Sequence, residues 1–259
     1  MAGGRTGNKR KKIRSRDKAS LLRAEITANY REPLTIPSRY LKFVVAIFLL
    51  PLAWMLTEAF FSCFTRAAIG HRFWASEEFW FFSLGIVLWI IAFFGLPKPL
   101  LLYVFGHELT HAVWVWLMGG KVSEFEAGPD GGHIVTNKTN FFIALAPYFF
   151  PLYSLLVIAI WGGLSFFWDA QPYREYLFCA IGLTWAFNFS FTLWMIPKGQ
   201  SDLSDHGTFF SLVVIYLMNL LFLAVFLIIA SPDVSLRTFG SELFNSAINL
   251  AYQIRMLVK

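Results

Sequence analysis

Six stretches of this 259-residue chain are apolar over lengths close to the thickness of a lipid bilayer, and they set the terms for everything else. They cover roughly residues 43–62, 78–96, 99–118, 140–163, 175–196 and 208–230. Backbone N–H and C=O groups find no partner in hydrocarbon, so runs of this length close their hydrogen bonds internally as helices. The ten-residue alternation of a membrane barrel is not visible. The predicted fold class is therefore an all-α membrane protein of about six transmembrane helices. Composition agrees: 57% of residues are hydrophobic, 19% aromatic and only 15% charged, with a mean hydropathy of +0.56. A soluble domain is about a quarter charged.

The net charge of +6 is unevenly placed, because 12 of the 22 basic residues precede residue 43. A basic segment ahead of the first apolar run is a topology signal and puts the N-terminus in the cytoplasm. The same charge without interleaved aromatics or a folded module gives no basis for nucleic-acid binding. Residues 1–40 are read as a basic, largely disordered cytoplasmic tail, 41–231 as the membrane domain, and 232–259 as an amphipathic interfacial helix. In that last segment Val234, Leu236, Phe239, Leu243, Phe244, Ala247, Ile248 and Leu250 recur at helical spacing. The first apolar run begins too far from the start to be a cleavable signal peptide. Cys63 and Cys179 have no paired spacing and read as packing residues.

Turn residues separate the runs: Gly95, Pro97 and Pro99 before the third, Gly119 and Gly120 after it, Pro197 and Gly199 before the sixth. Between Lys121 and Asn140, alternating apolar and polar residues flank a GPDGG turn, which predicts a small hairpin at the membrane edge.

Chemistry concentrates in the third run, PLLLYVFGHELTHAVWVWLMGG. His107 and His111 are four residues apart, so on a helix both imidazoles leave one face and can bind the same ion. Glu108 points to the side, where a carboxylate can act as general base on a metal-activated water without occupying the metal. Two imidazoles and a carboxylate are costly within a lipid-length helix, which marks them as functional candidates. A catalytic Zn2+ needs a third protein ligand and an open position. Asp202 is preferred for this ligand and Asp205 is the alternative, both in the polar break PKGQSDLSDHG. Either could instead cap the following helix. Glu124 is a weaker candidate, and so is Glu126, which with Asp130 spells ExxxD across a Gly128–Pro129 break that prevents a helix. His133 and His206 read as loop donors, and His71 carries no signal.

GHELTH in a membrane helix, GGKVSEF, the GPDGG turn, a later helix with ALAPY and a further SD pair together resemble the site-2 protease family. The likeness is to its compact bacterial branch of HExxH membrane peptidases, over about Gly106–Gly207. The resemblance implies a three-helix catalytic core in a bacterial cytoplasmic membrane. It also implies Zn2+ held by His107, His111 and an Asp, Glu108 as base, and a membrane-anchored protein as substrate. The family's usual NPxPxDG run is absent. Asn188, Pro197 and the Asp205–His206–Gly207 triplet echo it, which leaves Asp202 and Asp205 both open. Two spans before the third run would direct it from the cytoplasm outward, opposite to better-known members. The expected function is thus intramembrane zinc proteolysis, with a polar gap near Asn188, Asp202 and Asp205 admitting water. The alternative is an inactive protein of the same fold that binds zinc or sequesters membrane segments. A transporter would be expected to show an inverted repeat, and none is visible.

Overall fold

The structure is a computed structural model that describes residues 36–70, 74–129, 131–231 and 233–257. Most of the predicted basic tail, together with His71 and Asp130, lies outside the described residues. The part of the tail within them, residues 36–40, is helical and belongs to the first helix.

The chain folds as nine α-helices and one hairpin among the described residues. Helix α1 is Ile36–Ile69, α2 Glu77–Gly95 and α3 Leu100–Leu117. Strands β1, Val122–Gly128, and β2, Gly131–Thr136, pair antiparallel with Phe125 opposite Ile134 and Glu126 opposite His133. Then follow α4, Phe141–Leu145, a 3-10 turn Ala146–Tyr148, and α5, Leu152–Leu164. Helix α6 is Arg174–Met195, α7 Ser201–His206, α8 Thr208–Ala230 and α9 Leu236–Leu257.

Among the described residues, five helices are long and apolar enough to cross a membrane, with a sixth crossing if the α4–α5 pair is counted as one span. The predicted straight run over 140–163 is broken by a 79° bend at Phe149–Pro151. The sequence supplies the reason: Pro147 opens a 3-10 turn and Pro151 cannot donate to the helix before it, so the hydrogen-bond ladder lapses between them. The first helix extends to 34 residues, well beyond the predicted 43–62. Its outward side chains are large and apolar, Phe48 among them, as are Phe94 of α2 and Ile229 of α8. Exposure on this scale suits lipid contact.

Two parallel helix pairs make the frame. Helices α1 and α8 run together from Phe43 beside Phe209 to Thr57 beside Tyr216, and bury Leu56, Cys63, Val213, Leu217 and Leu220. Helices α2 and α6 run together from the Glu78–Arg174 ion pair to Phe93 against Phe191. In this pair the backbones almost touch: a Cβ on Gly85 would lie 2.0 Å from the Cys179 carbonyl, and one on Gly182 would lie 2.0 Å from the Phe82 carbonyl. Without hydrophobic drive between helices in lipid, close backbone approach at small residues is the main source of association.

The start of α1, the end of α6, α7 and the start of α8 gather at one end of the bundle, where Lys42 meets His206. Helix α3 reaches this end through Tyr103, which stacks on Phe191 near the end of α6, and its last turn meets the segment after the hairpin, where the Met118 carbonyl accepts from Lys138.

Helix α9 is amphipathic, as predicted, but it turns polar residues inward. Glu242 pairs with Arg66 and accepts from Ser62, and Ser246 donates to Glu58, while Phe244 and Tyr252 face out.

The Gly182–Phe82 contact leaves no room for a methyl group. Gly182→Ala should therefore lower stability by about 1–3 kcal/mol, read as a fall in Tm in detergent. Gly163→Ala, where a Cβ would meet nothing within 4 Å, should leave Tm unchanged.

Candidate metal centre

Helical spacing brings the two histidines of α3 to one face, and α7 adds a carboxylate from a distant part of the chain. His107 Nε2 lies 3.2 Å from His111 Nε2 and 3.2 Å from Asp202 Oδ2, and His111 Nε2 lies 3.6 Å from the same oxygen. Asp202, His107 and His111 are the predicted set, and the structure brings all three together. The alternative, Asp205, is exposed one turn further along α7. It lines the same cavity without joining the cluster.

The outer contacts fix what the inner atoms can do. His111 Nδ1 sits 2.8 Å from the Ile143 carbonyl, which only accepts, so the ring proton belongs on Nδ1 and Nε2 presents a lone pair. Tyr103 lies one turn before His107, and its phenol oxygen at 3.3 Å can accept from His107 Nδ1. Tyr148 donates to Asp202 Oδ2 at 3.0 Å. The Tyr148 backbone is held in turn, since its carbonyl accepts from Asn219 at 3.0 Å and from Thr192 at 3.4 Å.

His111 Nε2 and Asp202 Oδ2 are thus two acceptors aimed at each other, an arrangement that calls for a positive charge between them. Two donors at about 2.0–2.2 Å from a tetrahedral ion stand about 3.3–3.6 Å apart. The 3.2, 3.2 and 3.6 Å edges of this triangle match that spacing, and the two-imidazole, one-carboxylate set suits Zn2+.

Glu108 is 8% exposed and lines the cavity on which the cluster opens. Strand β2 passes directly over it: a Cβ on Gly132 would lie 2.7 Å from Glu108 Cγ. The cavity holds about 1030 Å³, and Arg39, His133, Asn140, Gln200 and His206 complete its polar wall. His206 accepts from Lys42 at 2.7 Å, and its pKa is lowered, first by burial and then by that ammonium group.

Other sequence candidates fall elsewhere. Asn188, expected near the water path, borders a separate small cavity behind His107 with Thr110 and Tyr153. Glu124, Glu126 and His133 form a second cluster on the outer face of the hairpin, with both His–Glu distances 3.9 Å. Glu126 is on a strand, as the Gly128–Pro129 break predicted. The sequence reading missed Tyr103, although its i−4 spacing from His107 was available. It also missed Tyr148, whose role depends on the bend that follows it.

Replacing Asp202 by Ala should abolish stoichiometric zinc retention in the purified protein, whereas Asp205→Ala should retain it; metal analysis after gel filtration separates them. Tyr148→Phe keeps the ring and removes the donor to Asp202. It should weaken zinc affinity about 10-fold or more in competition with a chelator.

In comparisons with known proteins, no family model, no curated protein and no solved structure matches this chain.

Proposed function

We propose that the protein is an intramembrane zinc metalloprotease that hydrolyses peptide bonds in membrane-anchored proteins. The observation that carries this reading is the convergence of His107 Nε2, His111 Nε2 and Asp202 Oδ2 within 3.6 Å of one another beside a buried glutamate in an open polar cavity. The resemblance to site-2 proteases, read from the HELTH helix and the later SD pair, supports the same conclusion.

In this reading His107, His111 and Asp202 hold Zn2+. The bound ion would polarise a substrate carbonyl and acidify water. Glu108 takes a proton from the attacking water as its oxygen adds to the peptide carbonyl carbon. It returns that proton to the departing amine nitrogen as the C–N bond breaks. Gly132 keeps the β2 backbone close over Glu108 and restricts where that carboxylate can point. Tyr148 and the Ile143 carbonyl hold Asp202 and His111 in register, so the ligands need no rearrangement to bind. The cavity admits water among lipid-facing helices, and an extended peptide segment fits its volume.

Zinc content and cleavage of membrane-anchored reporters, measured on wild type, Glu108→Gln and His107→Ala, test the proposal. Glu108→Gln should keep zinc and lose cleavage by about 100-fold or more. His107→Ala should lose both. Equal processing by all three would overturn the mechanism. Zinc retained with no substrate cut by wild type would favour a sequestering protein of the same fold.

A further inference from the structure

Lys98 and Lys198 come from distant parts of the chain and both lie against the Trp194 ring. Lys98 Nζ lies 5.5 Å from the Trp194 ring centre and 4.8 Å from that of Phe93, and Lys198 Nζ lies 2.9 Å above Trp194. Neither lysine has a carboxylate partner among the described residues. Cation–π contact offsets part of the cost of placing two ammonium groups on one ring, and an anion between them would offset the rest.

The surroundings indicate the kind of anion. Within five residues of one or the other lysine in sequence, Phe94, Leu96, Leu101 and Leu193 are all more than half exposed, side chains suited to contact with acyl chains. Lys98 also stands two residues before Leu100, where α3 begins with no side-chain cap on its first N–H groups, and the positive end of a helix favours a phosphate. Trp194 lies at the end of its helix, the level at which indoles mark the membrane boundary.

We propose that Lys98, Lys198 and Trp194 bind the phosphate of an anionic phospholipid, with its chains lying on Phe94, Leu96, Leu101 and Leu193. This site is separate from the metal centre but touches both chain segments that build it. Lys98 leads into the helix of His107 and His111, and Lys198 stands four residues before Asp202. One headgroup therefore ties the start of α3 to the approach to α7 and favours the arrangement in which the three ligands converge.

The test uses the full chain in nanodiscs of phosphatidylcholine alone or with added phosphatidylglycerol, reading Tm and the rate at which a chelator strips zinc. The Tm response to phosphatidylglycerol can be read on zinc-free protein and needs no cleavage, so failure of the protease reading leaves the test intact. Phosphatidylglycerol should raise Tm and slow zinc loss for wild type. The Lys98→Gln, Lys198→Gln double variant should match wild type in phosphatidylcholine, yet need on the order of tenfold more phosphatidylglycerol for the same response. The Lys98→Arg, Lys198→Arg pair should respond as wild type does. An unresponsive wild type, or a double Gln variant that responds equally, would overturn the proposal. Reproduction of the full effect by inorganic phosphate in phosphatidylcholine discs would overturn the assignment to lipid.

Discussion

The contact between His107 and Asp202 spans 95 positions of sequence, and much of the bundle serves to make it. A carboxylate this deep in a protein is costly unless several groups compensate it. Here the Tyr148 phenol at the α4–α5 bend donates to it, and the two imidazoles of α3 stand where a shared cation would complete the compensation. Helices α6 and α8 hold the Tyr148 carbonyl through Thr192 and Asn219, so the frame helices act on the site by way of one tyrosine.

The α4–α5 bend illustrates how an irregularity becomes useful in a membrane. A straight helix over these residues would satisfy its own backbone and offer the site only side chains. By lapsing between Pro147 and Pro151, the chain turns Tyr148 toward Asp202 and leaves its carbonyl for neighbouring helices to satisfy. Irregular backbone at this depth survives only because protein surrounds it. Tyr148 is fully buried.

Much of this was legible in the sequence. Apolar run lengths identified the membrane helices, the GPDGG turn identified the hairpin, and the four-residue histidine spacing put His107 and His111 on one face. What was not legible depended on three-dimensional closure. Asp202 and Asp205 are chemically alike and three residues apart, so only the direction in which α7 docks separates them. Run length and hydropathy gave 140–163 as one span; the signal for its break lay in Pro147 and Pro151, which that reading did not use. The inward-facing polar residues of α9 could not be inferred without knowing that α1 offers Glu58, Ser62 and Arg66 to receive them.

That last pairing has a consequence for how the protein is made. Glu58 lies on α1, whereas its donor Ser246 lies 188 positions downstream on α9. At ribosomal speeds of about 5–20 residues per second, α1 waits about 10–40 s before its partner exists. Through that interval an ionised Glu58 is costly in hydrocarbon and is held more cheaply by water or another polar partner. The arrival of α9 supplies that partner from within the chain.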